Sequence, residues 1–168
     1  MCDIIYLLAE EACNLIEFRM SHCPMTPDIY MALSSLVSEN CMRRLIFFDC
    51  IFSEPGLHVL TDEIRMNHGL RLVSFGLCAF SSSHEALLSD MIEGNKCLQK
   101  VDLYHASFMS SGSNWTKILD ALKVNTTLEL IDLPHIDPDV DGWEDLVCND
   151  SLIGIEDCDE HWIFRKIK

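Results

Sequence analysis

The apolar positions of this chain follow a short pattern that recurs along most of its length. The pattern reads apolar, two variable residues, apolar, one variable, apolar, two variable, then cysteine or another small or apolar residue. It occupies Met42, Leu45, Phe47, Cys50 and Phe52, then Leu70, Val73, Phe75, Cys78 and Phe80, then Leu98, Val101, Leu103, Ala106 and Phe108. These copies succeed one another at an offset of 28 residues without a gap. A copy 29 residues upstream takes Cys13, Ile16, Phe18, Ser21 and Cys23, and one 30 residues downstream takes Leu128, Ile131, Leu133 and Ile136. A degenerate sixth copy uses Leu152, Ile155 and Cys158, with Asp157 where an apolar residue belongs.

Alternation within each copy predicts a short strand, because successive strand side chains point to opposite faces. The segments between copies carry a helical period instead: Leu57, Leu60, Ile64; Leu87, Leu88, Met91, Ile92; Trp115, Ile118, Leu119, Leu122. Each opens behind a Ser or acidic N-cap region and closes near Asn40, Asn67, Gly94-Asn95 or Asn125. The predicted unit is strand, loop, helix, loop. One such unit cannot cover its own apolar face, whereas stacked units bury a continuous core. Residues 1–168 thus read as one domain: a capping helix over 1–11, five units over 12–136, and an acidic degenerate unit with a C-terminal cap over 137–168.

The stretch Met42-Arg43-Arg44-Leu45-Ile46-Phe47-Phe48-Asp49-Cys50 and its copies resemble the L-x-x-L-x-L-x-x-N/C core of leucine-rich repeats. The period of about 28 residues with a full helix is similar to the ribonuclease-inhibitor-like class, as is Asn125-Thr126-Thr127-Leu128 ahead of a strand. The resemblance implies an α/β solenoid of five to six repeats, with a short parallel sheet on a concave face and helices on the convex one. It also implies that the partner is another protein.

Charge narrows the partner further. The chain carries 12 Lys and Arg against 27 Asp and Glu, for a formal net charge of −15. That surplus argues against nucleic acid or a membrane surface as a direct partner, since phosphate binding needs a basic surface. A hydrophobic fraction of 49% separates the chain from acidic disordered sequences. Ten of the acidic residues lie within 137–160, which hold no Lys or Arg. This end reads either as a solvated, solubilising cap or as a docking surface for a basic protein. The first residues lack a basic leader and run into Glu10-Glu11, and the nine cysteines are odd in number. The expectation is therefore a cytosolic or nuclear setting with reduced thiols, not a secreted protein.

Outward strand positions supply the candidate binding face. The middle column reads Glu17, Ile46, Ser74, Asp102 and Asp132, with Glu156 if the sixth copy holds. Leu15, Arg44, Leu72, Lys100 and Leu130 flank it on one side, and Arg19, Phe48, Tyr104 and Pro134 on the other. From these columns Glu17, Arg19, Arg44, Ile46, Phe48, Leu72, Lys100, Asp102, Tyr104, Leu130 and Asp132 are the candidate partner-binding residues. Aromatic and aliphatic anchors in a charged frame suit a protein interface. The competing arrangement lays Trp162-Ile163-Phe164 of the tail over the same columns.

Other chemistry is thinner. Cys50 and Cys78 share one repeat position and Cys13, Cys23 and Cys41 sit at other framework positions, all suited to packing. His22 adjoins Cys23, but neighbours on a strand edge point apart. Asp137, Asp139, Asp141 and Gly142 match the first half of a calcium loop, yet Cys148 stands where a bidentate Glu belongs. No phosphate-binding loop, dinucleotide fingerprint or nucleophile elbow occurs, so neither catalysis nor a cofactor is expected. The leading expectation is a non-enzymatic protein-binding module. A structural subunit of a larger assembly and a calcium-responsive regulator are the alternatives.

Overall fold

The computed structural model describes residues 15–108, 115–134, 152–158 and 161–166. The chain is an α/β protein whose described part holds a parallel sheet of five strands and four helices. The parallel strands lie side by side in chain order: β1 (Glu17–Ser21), β2 (Arg44–Phe48), β3 (Leu72–Gly76), then, beyond the two-residue β4 (Ala79–Phe80), β5 (Lys100–Asp102) and, beyond β6 (Ser107–Phe108), β7 (Leu130–Pro134). Strands β4 and β6 pair with each other in a second, small parallel sheet. Helices α1 (Pro27–Ser38), α2 (Glu54–Met66), α3 (Ser82–Gly94) and α4 (Thr116–Val124) connect the main strands and pack each on the next.

One core lies between sheet and helices. Leu45 and Phe47, Val73 and Phe75, Val101 and Leu103, and Ile131 and Leu133 are fully buried, as are Leu57, Leu60, Ile64, Leu88, Ile118 and Leu119 from the helices. Aromatic rings tie neighbouring segments of the core together. Phe47 stacks on Phe75 at 5.5 Å, Phe52 stacks on Phe80 at 5.8 Å, and Phe52 meets Phe75 edge-on at 5.6 Å. Full burial of each phenylalanine contributes about 2 kcal/mol, and favourable ring geometry adds about 1 kcal/mol per pair. Gly56 near the start of α2 allows close packing, because a Cβ there would lie 1.9 Å from the Tyr30 ring of α1. The Tyr30 hydroxyl in turn accepts the Ser53 backbone N–H at 2.8 Å.

Buried asparagines stitch successive units. The Asn95 side-chain oxygen accepts the N–H groups of Cys97 and Leu98, both at 2.7 Å, while its Nδ2 donates to the carbonyls of Ile64 and Asn67. Asn125 repeats this with Thr127, Leu128, Ile92 and Asn95. Asn67 does the same with Gly69, Leu70 and Val37. Each therefore satisfies orphan groups at a helix end, at the next strand's start and in the preceding unit. Asn40 departs from the series: it is exposed and left-handed (φ 57°), and its side-chain oxygen accepts the His68 N–H.

Two expectations are corrected. The first strand is offset from the second by 27 residues, not 29: Phe18 pairs with Leu45 and Met20 with Phe47. Ile16 and Phe18 alternate as well as Phe18 and Met20 do, so alternation alone leaves the register open. The residues just after the strand decide it. Cys23 donates to the Ser21 carbonyl as Cys78 does to that of Gly76, and Met25 is buried. Ile16, expected inside, is 60% exposed. The turn residues agree with this register, since His22, Asp49, Leu77 and His105 all have φ between 51° and 57°.

The second correction concerns the tail. Leu152, Ile155 and Cys158 do not form a sixth parallel strand. Strand β8 (Leu152–Cys158) pairs antiparallel with β9 (His161–Lys166), and β9 pairs antiparallel with β7. The tail residues 161–166 thus extend the sheet in its own plane, hydrogen-bonding along the β7 edge, and do not lie over its face. An edge strand with unpaired N–H and C=O groups favours such a partner. The capping helix over 1–11, Cys13 and the calcium-type residues Asp137, Asp139 and Asp141 lie outside the described residues.

Candidate functional site: the face of the sheet away from the helices

Strand alternation sends every second side chain away from the helices, and parallel register aligns them into rows. The first row runs Glu17, Arg44, Leu72, Lys100 and Leu130. The second runs Arg19, Ile46, Ser74, Asp102 and Asp132, and β9 continues it with Ile163. The third holds Ser21, Phe48 and Gly76, with Tyr104 reaching the same level through its carbonyl, which accepts the Leu77 N–H at 3.0 Å. Pro134 closes β7. Ten of the eleven candidate residues are thus placed on one face by strand pairing, and Tyr104 follows in the turn just beyond β5. The register correction moves both Glu17 and Arg19 by one row: Arg19 stands in the middle row, Glu17 beside Arg44, and Ser21 takes the place beside Phe48.

The face is unevenly exposed. Phe48 is 40% exposed, whereas Ile46, Leu72, Asp102, Tyr104, Leu130 and Asp132 are half-buried. Ser74 and Gly76 are buried although they face away from the core. Gly76 lies beneath the Phe48 ring, where a Cβ would come within 3.3 Å of Cδ2. The exposed aromatic ring rests on a small-residue step of the neighbouring strand and partly covers it.

Polar groups on the face are arranged in pairs. Glu17 forms ion pairs with both Arg19 and Arg44. The Arg19 hydrogen bond holds its carboxyl below the ordinary carboxylate range; burial opposes the shift, and the charges of Arg19 and Arg44 reinforce it. The Ser74 hydroxyl donates to Asp102 at 3.2 Å, and the other Asp102 oxygen accepts the Tyr104 N–H at 2.9 Å. Asp102 therefore fixes the turn that carries Tyr104, whose ring lies against His105 at 3.9 Å. At the same strand ends, His22 Nδ1 and Asp49 are 2.7 Å apart, and the His22 ring meets Phe48 edge-on.

The cysteines belong to the frame. Burial pushes the Cys78 thiol up to about 12 and raises that of Cys50, so both are protonated at neutral pH and poor nucleophiles. Cys50 and Cys78 donate weakly to the carbonyls of Phe48 and Gly76, and Cys23 joins them at the same position in the unit. His22 and Cys23 take different partners, Asp49 and the Ser21 carbonyl.

A groove of about 450 Å³ runs along the edge of the face where the strands begin. Besides first-row residues it is lined by Arg43, Arg71, Gln99 and Glu129, which precede their strands at one shared position and continue the backbone ladder. The columns read from the sequence omitted these residues. The signal was present as Arg43 and Arg71, 28 residues apart, each one position before an outward-facing residue. No helix among the described residues is long and apolar enough to cross a membrane. No protein-family model matches this chain, and no curated protein matches it.

Proposed function

We propose that this chain is a leucine-rich-repeat solenoid that serves as a protein-binding module. The partner would sit on the strand face and bury Phe48, Tyr104, Ile46 and the charged residues beside them. One observation carries this reading. Strands in common register keep the same kind of residue toward the helices and change it toward the other face. A surface that repeats its backbone while varying its side chains suits recognition of another polypeptide, with aromatic and arginine side chains as anchors. The acidic stretch 137–160 would add attraction for a basic part of the same partner.

The test is affinity purification of the tagged full chain from its source cell, with quantitative mass spectrometry. Phe48→Ala combined with Tyr104→Ala should deplete the partner while leaving the melting temperature within a few degrees of the parent. An undiminished partner would remove the strand face from the reading.

A further inference from the structure

The groove at the beginning of the strands runs against the charge of the chain. A protein of net charge −15 gathers four cations there, Arg43, Arg44, Arg71 and Lys100, against one lining carboxylate, Glu129. Its apolar lining comes from Ile16, Leu72 and Leu130. From these we infer that the groove binds an acidic segment of a protein partner, with aliphatic side chains between its carboxylates.

Two of the cations, Arg43 and Arg71, are held in place by backbone carbonyls, which orient them without cancelling their charge. Arg43 Nη1 donates to the Gly69 carbonyl at 2.7 Å, and Arg71 Nη1 donates to the carbonyls of Leu70 and His68 at 2.9 and 3.0 Å. A guanidinium has five N–H donors, so each keeps others for a carboxylate. Arg44 is shared with Glu17 and stands half-exposed. Lys100 pairs across the sheet with Leu72 on one side and Leu130 on the other. Cation and aliphatic residue therefore alternate strand by strand from β2 to β7, as Arg44, Leu72, Lys100 and Leu130, at the sheet spacing of about 4.8 Å. A purely anionic ligand would leave the leucines uncovered, and an apolar one would desolvate the arginines without compensation. A segment carrying both satisfies both.

This inference rests on the protein-binding reading and specifies the partner's chemistry at one edge of the face. It is tested on the full chain by fluorescence anisotropy with a short labelled peptide alternating glutamate and leucine. The comparison peptide has lysine at each glutamate. The glutamate peptide should bind tighter, and its affinity should fall about tenfold when salt is raised beyond the screening range. Lys100→Gln with Arg44→Gln should weaken it at least about tenfold, whereas Arg65→Gln on α2 should leave it unchanged. The melting temperature of each variant separates lost binding from lost fold. Equal binding of the lysine peptide, or binding indifferent to the double substitution, overturns the inference but leaves the module reading standing. So does binding to phosphatidylserine vesicles in place of the peptide, or salt-sensitive self-association through this edge. Peptide binding that survives while Phe48→Ala with Tyr104→Ala retains the cellular partner would instead count against the wider reading.

Discussion

Across the sheet in register, the helix side presents Phe18, Leu45, Val73, Val101 and Ile131, while one residue further along the other side presents Arg19, Ile46, Ser74, Asp102 and Asp132. Both rows ride on the same backbone and the same strand pairing. The first is uniform because its side chains lie in the core or, for Phe18, pack against it; a change of volume there is felt at once. The second touches neighbours of its own face and solvent, so charge, hydroxyl and aliphatic groups alternate freely. The strands thus separate the work of holding the fold from that of presenting a surface, at a distance of one residue.

That contrast can be broken at its strong side first. Phe75→Ala removes a ring stacked on Phe47 and edge-on to Phe52 and Phe80, and should cost about 4 kcal/mol in chemical denaturation. Asn95→Ala leaves two N–H groups and two carbonyls without their partner, and should cost about 3 kcal/mol. The exposed Asn40→Ala, which loses the bond from the His68 N–H at a left-handed residue, should cost about 1–2 kcal/mol, clearly less than Asn95→Ala. Equal losses at Asn95 and Asn40 would mean that the asparagine series does not tie the units together.

A smaller effect is expected from pH. His84 is buried at the start of α3 and accepts the Ser81 N–H through Nδ1, so its neutral form fits the site. Burial lowers its pKa from the ordinary 6.5, against a weaker opposing pull from Glu54. The unfolded chain then binds the proton more readily than the folded one. The stability tied to neutral His84 is present in full above pH 6.5 and is lost as pH falls through the lowered value. Denaturation midpoints between about pH 7.5 and 5 should decline, and His84→Gln should flatten that decline. A midpoint rising on acidification would contradict the assignment.

Much of this division was legible in the residues themselves. Leu45, Phe47, Val73, Phe75, Val101 and Leu103 repeat without a gap, and the strands they predict pair in the predicted register. The first strand slipped because two registers satisfy the same alternation; the structure decides between them by the turn and cysteine that come after it. The direction of the tail was hidden for a related reason. Parallel and antiparallel strands share the two-residue period, so Leu152, Ile155 and Cys158 carry no sign of which way they run. The asparagines were legible as helix ends, but not their reach to carbonyls about thirty residues back, which only stacking creates. Arg43 and Arg71 carry no mark in the strand alternation because they fall just before the outward columns.

The division between the two sides of the sheet is tested most directly by comparing Phe48→Ala with Phe75→Ala in one denaturation series. Both delete a phenylalanine ring from the sheet, one facing away from the helices and one facing the core. Phe48→Ala should change stability by less than about 1.5 kcal/mol, and Phe75→Ala by about 4 kcal/mol. A loss above about 3 kcal/mol at Phe48 would make that ring part of the core and contradict the assignment of this face to recognition.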